Sequence, residues 1–448
     1  MRHNRTLSGL TILGLIVGSL FVLAAAVWTV GDMAYSRKLE RELASLRADG
    51  YPLTLAEAKP KPVPEAQNAA TIYMSLFQVN FDPLKGSPGN APDSGLGRFK
   101  VDKTDLPSAL AARSIIESPE ARVALAKLKR ASAMPFCVFP VRWDDGFDTL
   151  FPHMAQFRQA TRLVCAQAVL LDHQGRRAEA LDWLGVALRM ADQAGEEPTL
   201  IAQLVAVAMR AITEKAAQQI IGDADMTPKQ ARPLYDQLGR TDFARTYEAA
   251  MRMEMVMGLA MMEQLARKPQ DLGAFFGSGD MPYPEGLVRM LTRGPGRTWF
   301  KLQEANYAQY MHQALPAITR PYRESVHAMP PLPRPGFGSV LTSMLVPVFS
   351  RVNMKRDQSL AATRLLQVVL ALKAQKHSLG SYPEALSGVV WQPPTEDPFS
   401  GKPLVYQRQG SGFRLYSVGP NLKDDGGQEP SKPGNISEEG DMVWVCKR

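Results

Sequence analysis

Residues 7–30 (LSGLTILGLIVGSLFVLAAAVWTV) form an uninterrupted apolar run without a charged side chain. At ~1.5 Å per residue a helix of this length crosses a ~30 Å hydrocarbon layer with some tilt, so the run predicts a transmembrane helix. Beyond it the pattern becomes amphipathic: Leu39, Leu43 and Leu46 recur between charges over residues 35–48, which predicts a short membrane-proximal helix. Pro60, Pro62 and Pro64 then exclude continuous helix and predict a semi-rigid spacer.

Helical periodicity dominates the middle of the chain. Residues 65–78 read as a helix and 85–97 as a Gly/Pro/Ser/Asn loop. Ser118-Pro119 starts another helix, to about Ala133, because Ser accepts an orphan N–H and Pro at the first helical position costs no hydrogen bond. Residues 136–152 are irregular in pattern. Phe157, Ala160, Val164, Ala168 and Leu171 mark one helical face that Gly175 stops; residues 178–194 and 200–221 give two further helices around a break at 195–198. The stretch Gly175-Arg176-Arg177-Ala178-Glu179-Ala180-Leu181 resembles a tetratricopeptide helix, but no fixed period follows, so this part is repeat-like. Thr227-Pro228-Lys229-Gln230 has capping-box chemistry. Helices follow over 242–267 and 300–318, then a Pro-rich linker at 329–336 and a long helix over 353–376.

The period then drops to two. Leu404 and Tyr406 alternate with Val405 and Gln407, Gly410-Ser411-Gly412 turns the chain, Phe413 to Val418 alternate again, and residues 442–446 supply a third strand. The predicted fold is mainly α: an N-terminal transmembrane helix, a multi-helix repeat-like domain and a small C-terminal α+β domain with a three-stranded antiparallel sheet. The expected division is 1–6 cytoplasmic N-terminus, 7–30 transmembrane helix, 31–64 membrane-proximal helix and spacer, 65–350 helical domain, and 351–448 C-terminal α+β domain.

Within that last segment the order is helix, Gly380-Ser381-Tyr382-Pro383, Asp397-Pro398-Phe399-Ser400-Gly401-Lys402-Pro403-Leu404, Leu415-Tyr416-Ser417-Val418-Gly419, an acidic Gly-rich loop, then Gly440-Asp441-Met442-Val443-Trp444. It resembles the C-terminal domain of the major pseudopilin of type II secretion. The resemblance implies a long helix on a small antiparallel sheet and a calcium-binding loop before the last strand, with Asp424, Asp425 and Asp441 as the ligands. The start of the chain departs from a pilin, since Gly14 stands where a pilin precursor, counted from Gly9, has Glu. The helical middle, including Val63-Pro64-Glu65-Ala66-Gln67-Asn68-Ala69-Ala70 and Glu197-Pro198-Thr199-Leu200-Ile201, resembles a family of membrane-anchored bacterial proteins of uncharacterised activity that carry such a tail. That resemblance implies architecture and no reaction.

Composition changes the picture little. A chain of 448 residues holds two or three domains. The formal charge of +8 comes from scattered Lys and Arg with no nucleic-acid module, so no nucleic-acid partner is expected. Arg2 and Arg5 precede the span while Arg37, Lys38 and Arg41 follow it; the very short basic N-terminus favours an inside N-terminus at the bacterial inner membrane, with the bulk extracytoplasmic. Ala24-Ala25-Ala26 leaves a cleaved signal peptide as the alternative. Cys137, Cys165 and Cys446 form no CxxC pair and read as buried free thiols, with one long-range disulfide as the alternative.

Candidate chemistry is sparse. Asp424, Asp425, Glu429, Glu438, Glu439 and Asp441 give the acidic loop enough oxygens for calcium, which takes six to eight; a solvated surface loop is the plain alternative. Met251, Met253, Met255, Met257, Met261 and Met262 recur too closely for one copper-binding face and fit core packing. Trp143-Asp144-Asp145-Gly146-Phe147-Asp148 reads as a turn before a helix, with ligand contact as the alternative. His153 and His173 lie at opposite ends of a helix, and Glu196-Glu197 reads as loop charge. No nucleophile elbow, phosphate loop or dinucleotide fingerprint occurs. The expected function is therefore non-enzymatic, an envelope scaffold or interaction module held in lipid and contacting an envelope protein. A divergent pseudopilin-like subunit is the first alternative and an exported hydrolase the second.

Overall fold

Helix α1 (Gly9–Ala48) runs unbroken through the apolar stretch and the amphipathic segment beyond it. These were expected as two helices. The join at Val30-Gly31-Asp32 contains no proline, and one glycine costs a helix only ~1 kcal/mol, so nothing stops it before Gly50, where φ is +78°. The computed structural model describes residues 9–78, 96, 99, 101–267, 295–334, 336, 338–346, 348–429 and 440–447. The expected N-terminal segment 1–6, most of the 85–97 loop, and Glu438 and Glu439 lie outside the described residues.

In chain order the other helices are α2 (Leu55–Ala58), α3 (Ala69–Phe77), α4 (Leu106–Ala111), α5 (Arg113–Ile116), α6 (Pro119–Ser132), α7 (His153–His173), α8 (Arg177–Gly195) and α9 (Leu200–Ile221). There follow α10 (Pro228–Leu238), α11 (Phe243–Arg267), α12 (Pro295–Ile318), α13 (Tyr322–Ala328), α14 (Val340–Leu345) and α15 (Val348–Leu379). Strands β1 (Val405–Gln409), β2 (Gly412–Ser417) and β3 (Met442–Cys446) close the chain. The protein is mainly helical, with one long apolar N-terminal helix and a C-terminal three-stranded antiparallel sheet, as the periodicities predict. The chain divides into two compact units, one of Met1–Ala58, Met255–Ala314 and Pro330–Pro347, the other of Lys59–Glu254, Leu315–Met329 and Val348–Arg448.

In the first unit α1 and α12 run parallel. Trp28 Nε1 donates to Thr298 Oγ1 at 2.8 Å, Lys301 Nζ to Asp32 at 2.8 Å, Lys38 Nζ to Asn306 Oδ1 at 2.7 Å, and His312 Nε2 meets Asp49 Oδ2 at 2.8 Å. The α11 residues of this unit run the opposite way: Gly258 packs under the Tyr307 ring and Glu263 lies near Glu304. Along the apolar half of α1 an 18-residue window has a mean hydropathy of 2.3 and no buried side chain; Phe21 is 76% exposed. This helix fits a single-pass membrane anchor, and the apolar part of a signal sequence would meet the same criterion of length and composition.

In the second unit α7, α8 and α9 stack on one another around Phe157, Val164, Leu184 and Met209, all buried. Gly175, at φ +80°, makes the α7–α8 turn. Thr227 and Gln230 form the capping box that opens α10. Helix α15 lies against α9 and α10 and also against β2 and β3. The sheet order is β1-β2-β3, with Tyr406 opposite Leu415 and Leu415 opposite Trp444.

Candidate functional site

The corner between α8 and α9 (Glu196-Glu197-Pro198-Thr199) is where polar groups converge. Thr199 caps α9 by accepting the Ala202 N–H, and Gln203 Nε2 donates back to Gly195 O at 2.7 Å, so the turn is fixed from both sides. A cleft of about 420 Å³ opens beside it, lined by Phe136, Phe139 and Trp143 and by Asp192, Glu196 and Glu197.

The walls are set by side-chain amides. Asn68 caps α3 and also pairs with Val138 in both directions, at 2.8 and 2.9 Å, which holds the irregular 136–138 segment against the start of α3. Gln193 donates to the carbonyls of Ala131 and Met134 at the end of α6, both at 3.0 Å, and accepts from Tyr73 Oη at 2.6 Å. Three backbone segments are thus tied to two amides.

Behind the lining residue Glu197, His153 Nε2–H donates to Glu197 Oε2 at 2.9 Å, with His153 fully buried and Glu197 6% exposed. The imidazole stacks on Phe139, centroids 3.9 Å apart. Glu197 Oε1 has no hydrogen-bond partner among the described residues. Burial pushes the Cys137 thiol well above its usual range, and Glu197 and Glu196 push it further, so it is a poor nucleophile. On the far side of Asp192, Arg210 binds the Asp192 carboxylate and donates to Thr241 Oγ1 at 2.7 Å. Burial raises the Asp192 carboxyl while Arg210, Thr241 and Gln237 pull it down. Arg245 holds Glu196 at two points. The arrangement is suited to holding charge in place.

The residues expected to bind calcium share one loop. Asp441 is buried and accepts the N–H groups of Gly427 at 2.6 Å and Asp425 at 3.3 Å. Asp424 Oδ1 accepts from Tyr416 Oη at 3.1 Å and from the Gly426 N–H at 2.9 Å, and Asp425 Oδ2 accepts from Asn421 at 2.8 Å. Burial raises the Asp441 carboxyl, and the charges of Asp425 and Asp424 add to that against its two backbone hydrogen bonds. Among the described residues no group of three or more His, Cys, Asp or Glu side chains is arranged to hold a metal ion.

Elsewhere, Met251, Met253, Met255, Met261 and Met262 are core residues, and the three cysteines are free and buried. Trp143-Asp144-Asp145-Gly146-Phe147-Asp148 forms a 3-10 turn whose Trp143 lines the cleft. Sequence reasoning noted His153 and Glu197 separately and missed their pairing, which joins positions 44 apart. The Glu-Pro-Thr break was its nearest signal. Compared with known proteins, the chain matches no family model, no curated protein and no solved structure.

Proposed function

We propose that the protein is a single-pass, membrane-anchored recognition module of the bacterial envelope, without catalytic activity of its own. The observation that carries this reading is α1, an exposed apolar helix that continues without a break into a polar-paired helix of the first unit. In this reading Arg2 and Arg5, ahead of the apolar run, lie inside at the inner membrane, which leaves the part after the run extracytoplasmic and free to contact an envelope protein. The cleft at the α8–α9 corner supports recognition over reaction, because Asp192 and Glu196 are held by arginines and burial disfavours the Cys137 thiolate.

Alkaline extraction and protease protection of the full chain in native membranes test the anchor and its sense. The chain is expected to stay in the membrane pellet, to become soluble without residues 1–30, and to be cut from the extracytoplasmic side; release of the intact chain by alkali overturns the reading. A photoreactive amino acid at Phe136 then reads the partner, and a discrete adduct lost on adding unlabelled protein is the expected result.

A pseudopilin-like subunit is the second reading. It is favoured by the C-terminal order of a long helix on a three-stranded sheet, with buried Asp441 just before the last strand. In it Asp424, Asp425 and Asp441 hold calcium, which relieves the repulsion among them. The mature N-terminus decides between the two: cleavage after Gly9 favours this reading, and an intact start removes it.

A further inference from the structure

We propose that the cleft at the α8–α9 corner binds an organic cation, an ammonium or guanidinium group carried on an apolar shank. This deepens the recognition reading by naming what the module holds.

The argument begins with an oxygen. Glu197 is buried and lines the cleft with Glu196 and Asp192; its Oε2 is taken by His153, and its Oε1 has no hydrogen-bond partner among the described residues. A buried carboxylate oxygen without a donor is costly, so the site is one donor short, and a charged donor satisfies it best. The protein's own cations are engaged elsewhere: Arg245 holds Glu196 and Arg210 holds Asp192. Lys61 lines the cleft and forms no ion pair with Glu197 among the described residues. Of the three carboxylates on the cleft, Glu197 is the one held by no arginine.

The aromatic lining agrees with the carboxylates. Phe136, 40% exposed, stands on the same cleft as Phe139 and Trp143. Aromatic faces attract cations, and an apolar shank lies favourably along them. The about 420 Å³ of space exceeds what a metal ion or a single water needs. Carboxylates and aromatic rings on one lining fit a lysine or arginine side chain, or a free amine of similar length.

The experiment is calorimetric titration of the full chain in detergent micelles. The probes are N-acetyl-lysine methylamide, N-acetyl-arginine methylamide, 1,4-diaminobutane and the neutral N-acetyl-norleucine methylamide. Cationic probes are expected to bind and the neutral one to bind at least about tenfold more weakly, with affinity falling as salt rises. Binding by the amino-acid amides assigns the cation to a protein side chain; binding by the diamine alone assigns it to a free amine, and both support the site. Glu197→Gln is expected to weaken binding about tenfold and Phe136→Ala about threefold. Should Glu197→Gln not fold, the rim variant Phe136→Ala carries the same comparison. Equal binding of neutral and cationic probes, no binding by any probe, or cation binding unmoved by both variants overturns the proposal. Because this titration reads the cleft alone, its failure leaves the membrane test untouched, and the reverse holds.

Discussion

Asn68 and Val138 are joined through a single side-chain amide: Asn68 Nδ2 donates to Val138 O at 2.8 Å, and the Val138 N–H donates to Asn68 Oδ1 at 2.9 Å. The same Oδ1 accepts the Ala70 N–H at 3.2 Å, so one residue caps α3 and fixes a cleft wall. Replacing it by Ala orphans both Val138 groups and the cap. Asn68→Ala is expected to cost about 2–3 kcal/mol in urea unfolding. It also speeds Val138 amide exchange, and unchanged exchange at Val138 refutes the account.

Gly258 illustrates a contact that tolerates no side chain. A Cβ placed there overlaps the Tyr307 ring of α12. Gly258→Ala is therefore expected to destabilise the chain by about 1–3 kcal/mol despite the better helix propensity of Ala. Combining it with Tyr307→Leu should return part of that loss. Additive losses in the double variant, read by thermal melting, contradict the packing argument.

Two partly buried carboxyl groups set the direction of their contribution to the pH response. Burial pushes Glu214 up to about 8 against a nearby Arg210, and burial together with Glu263 pushes Glu304 up to about 7. Between the ordinary carboxyl value of 4.5 and these raised values the folded state holds protons that the unfolded chain releases. These groups therefore contribute a fall in stability as pH rises across that window, levelling above about 8. Glu214→Gln is expected to flatten the slope of melting temperature against pH. A slope equal to that of the parent chain counts against the assignment.

The proposal that the C-terminal loop binds calcium has a direct readout. With Asp441 held next to Asp424 and Asp425, excess calcium at neutral pH is expected to raise the melting temperature relative to chelator, by the linkage of binding to folding. Asp441→Asn should abolish that difference while leaving the strand pairing Leu415–Trp444 in place. Identical melts of the parent chain with calcium and with chelator sink the calcium reading.

Much of the fold was legible because it is written locally. Ser118 and Thr227 announce helix starts, and each accepts the expected backbone N–H; Thr199 caps α9 in the same way. Helices α4 and α5 were missed although Asp105 and Pro107 carry a start signal, since the segment is too short for periodicity to register. The Asp-Pro-Phe-Ser-Gly motif was read as a family mark. Its Asp397 is a buried hub that accepts from Phe399, Ser400, Ser417 and Val418 and locks β2 to the preceding turn. The cleft was illegible for a different reason. Its lining comes from positions 60–61, 135–143 and 192–197, pinned by Asn68 and Gln193, and no short-range pattern encodes those distances.

The pairing of Asp32 with Lys301, one turn past Trp28, has a mechanical consequence for an anchored chain. Dragging that ion pair into hydrocarbon costs several kcal/mol, and Trp28 prefers the headgroup level, so the pair acts as a depth stop. A thicker bilayer cannot be met by letting α1 sink further. The helix must stand more upright, a thinner one must tilt it, and because α12 is bonded alongside, the first unit leans with it. Membrane thickness is thereby converted into an angle.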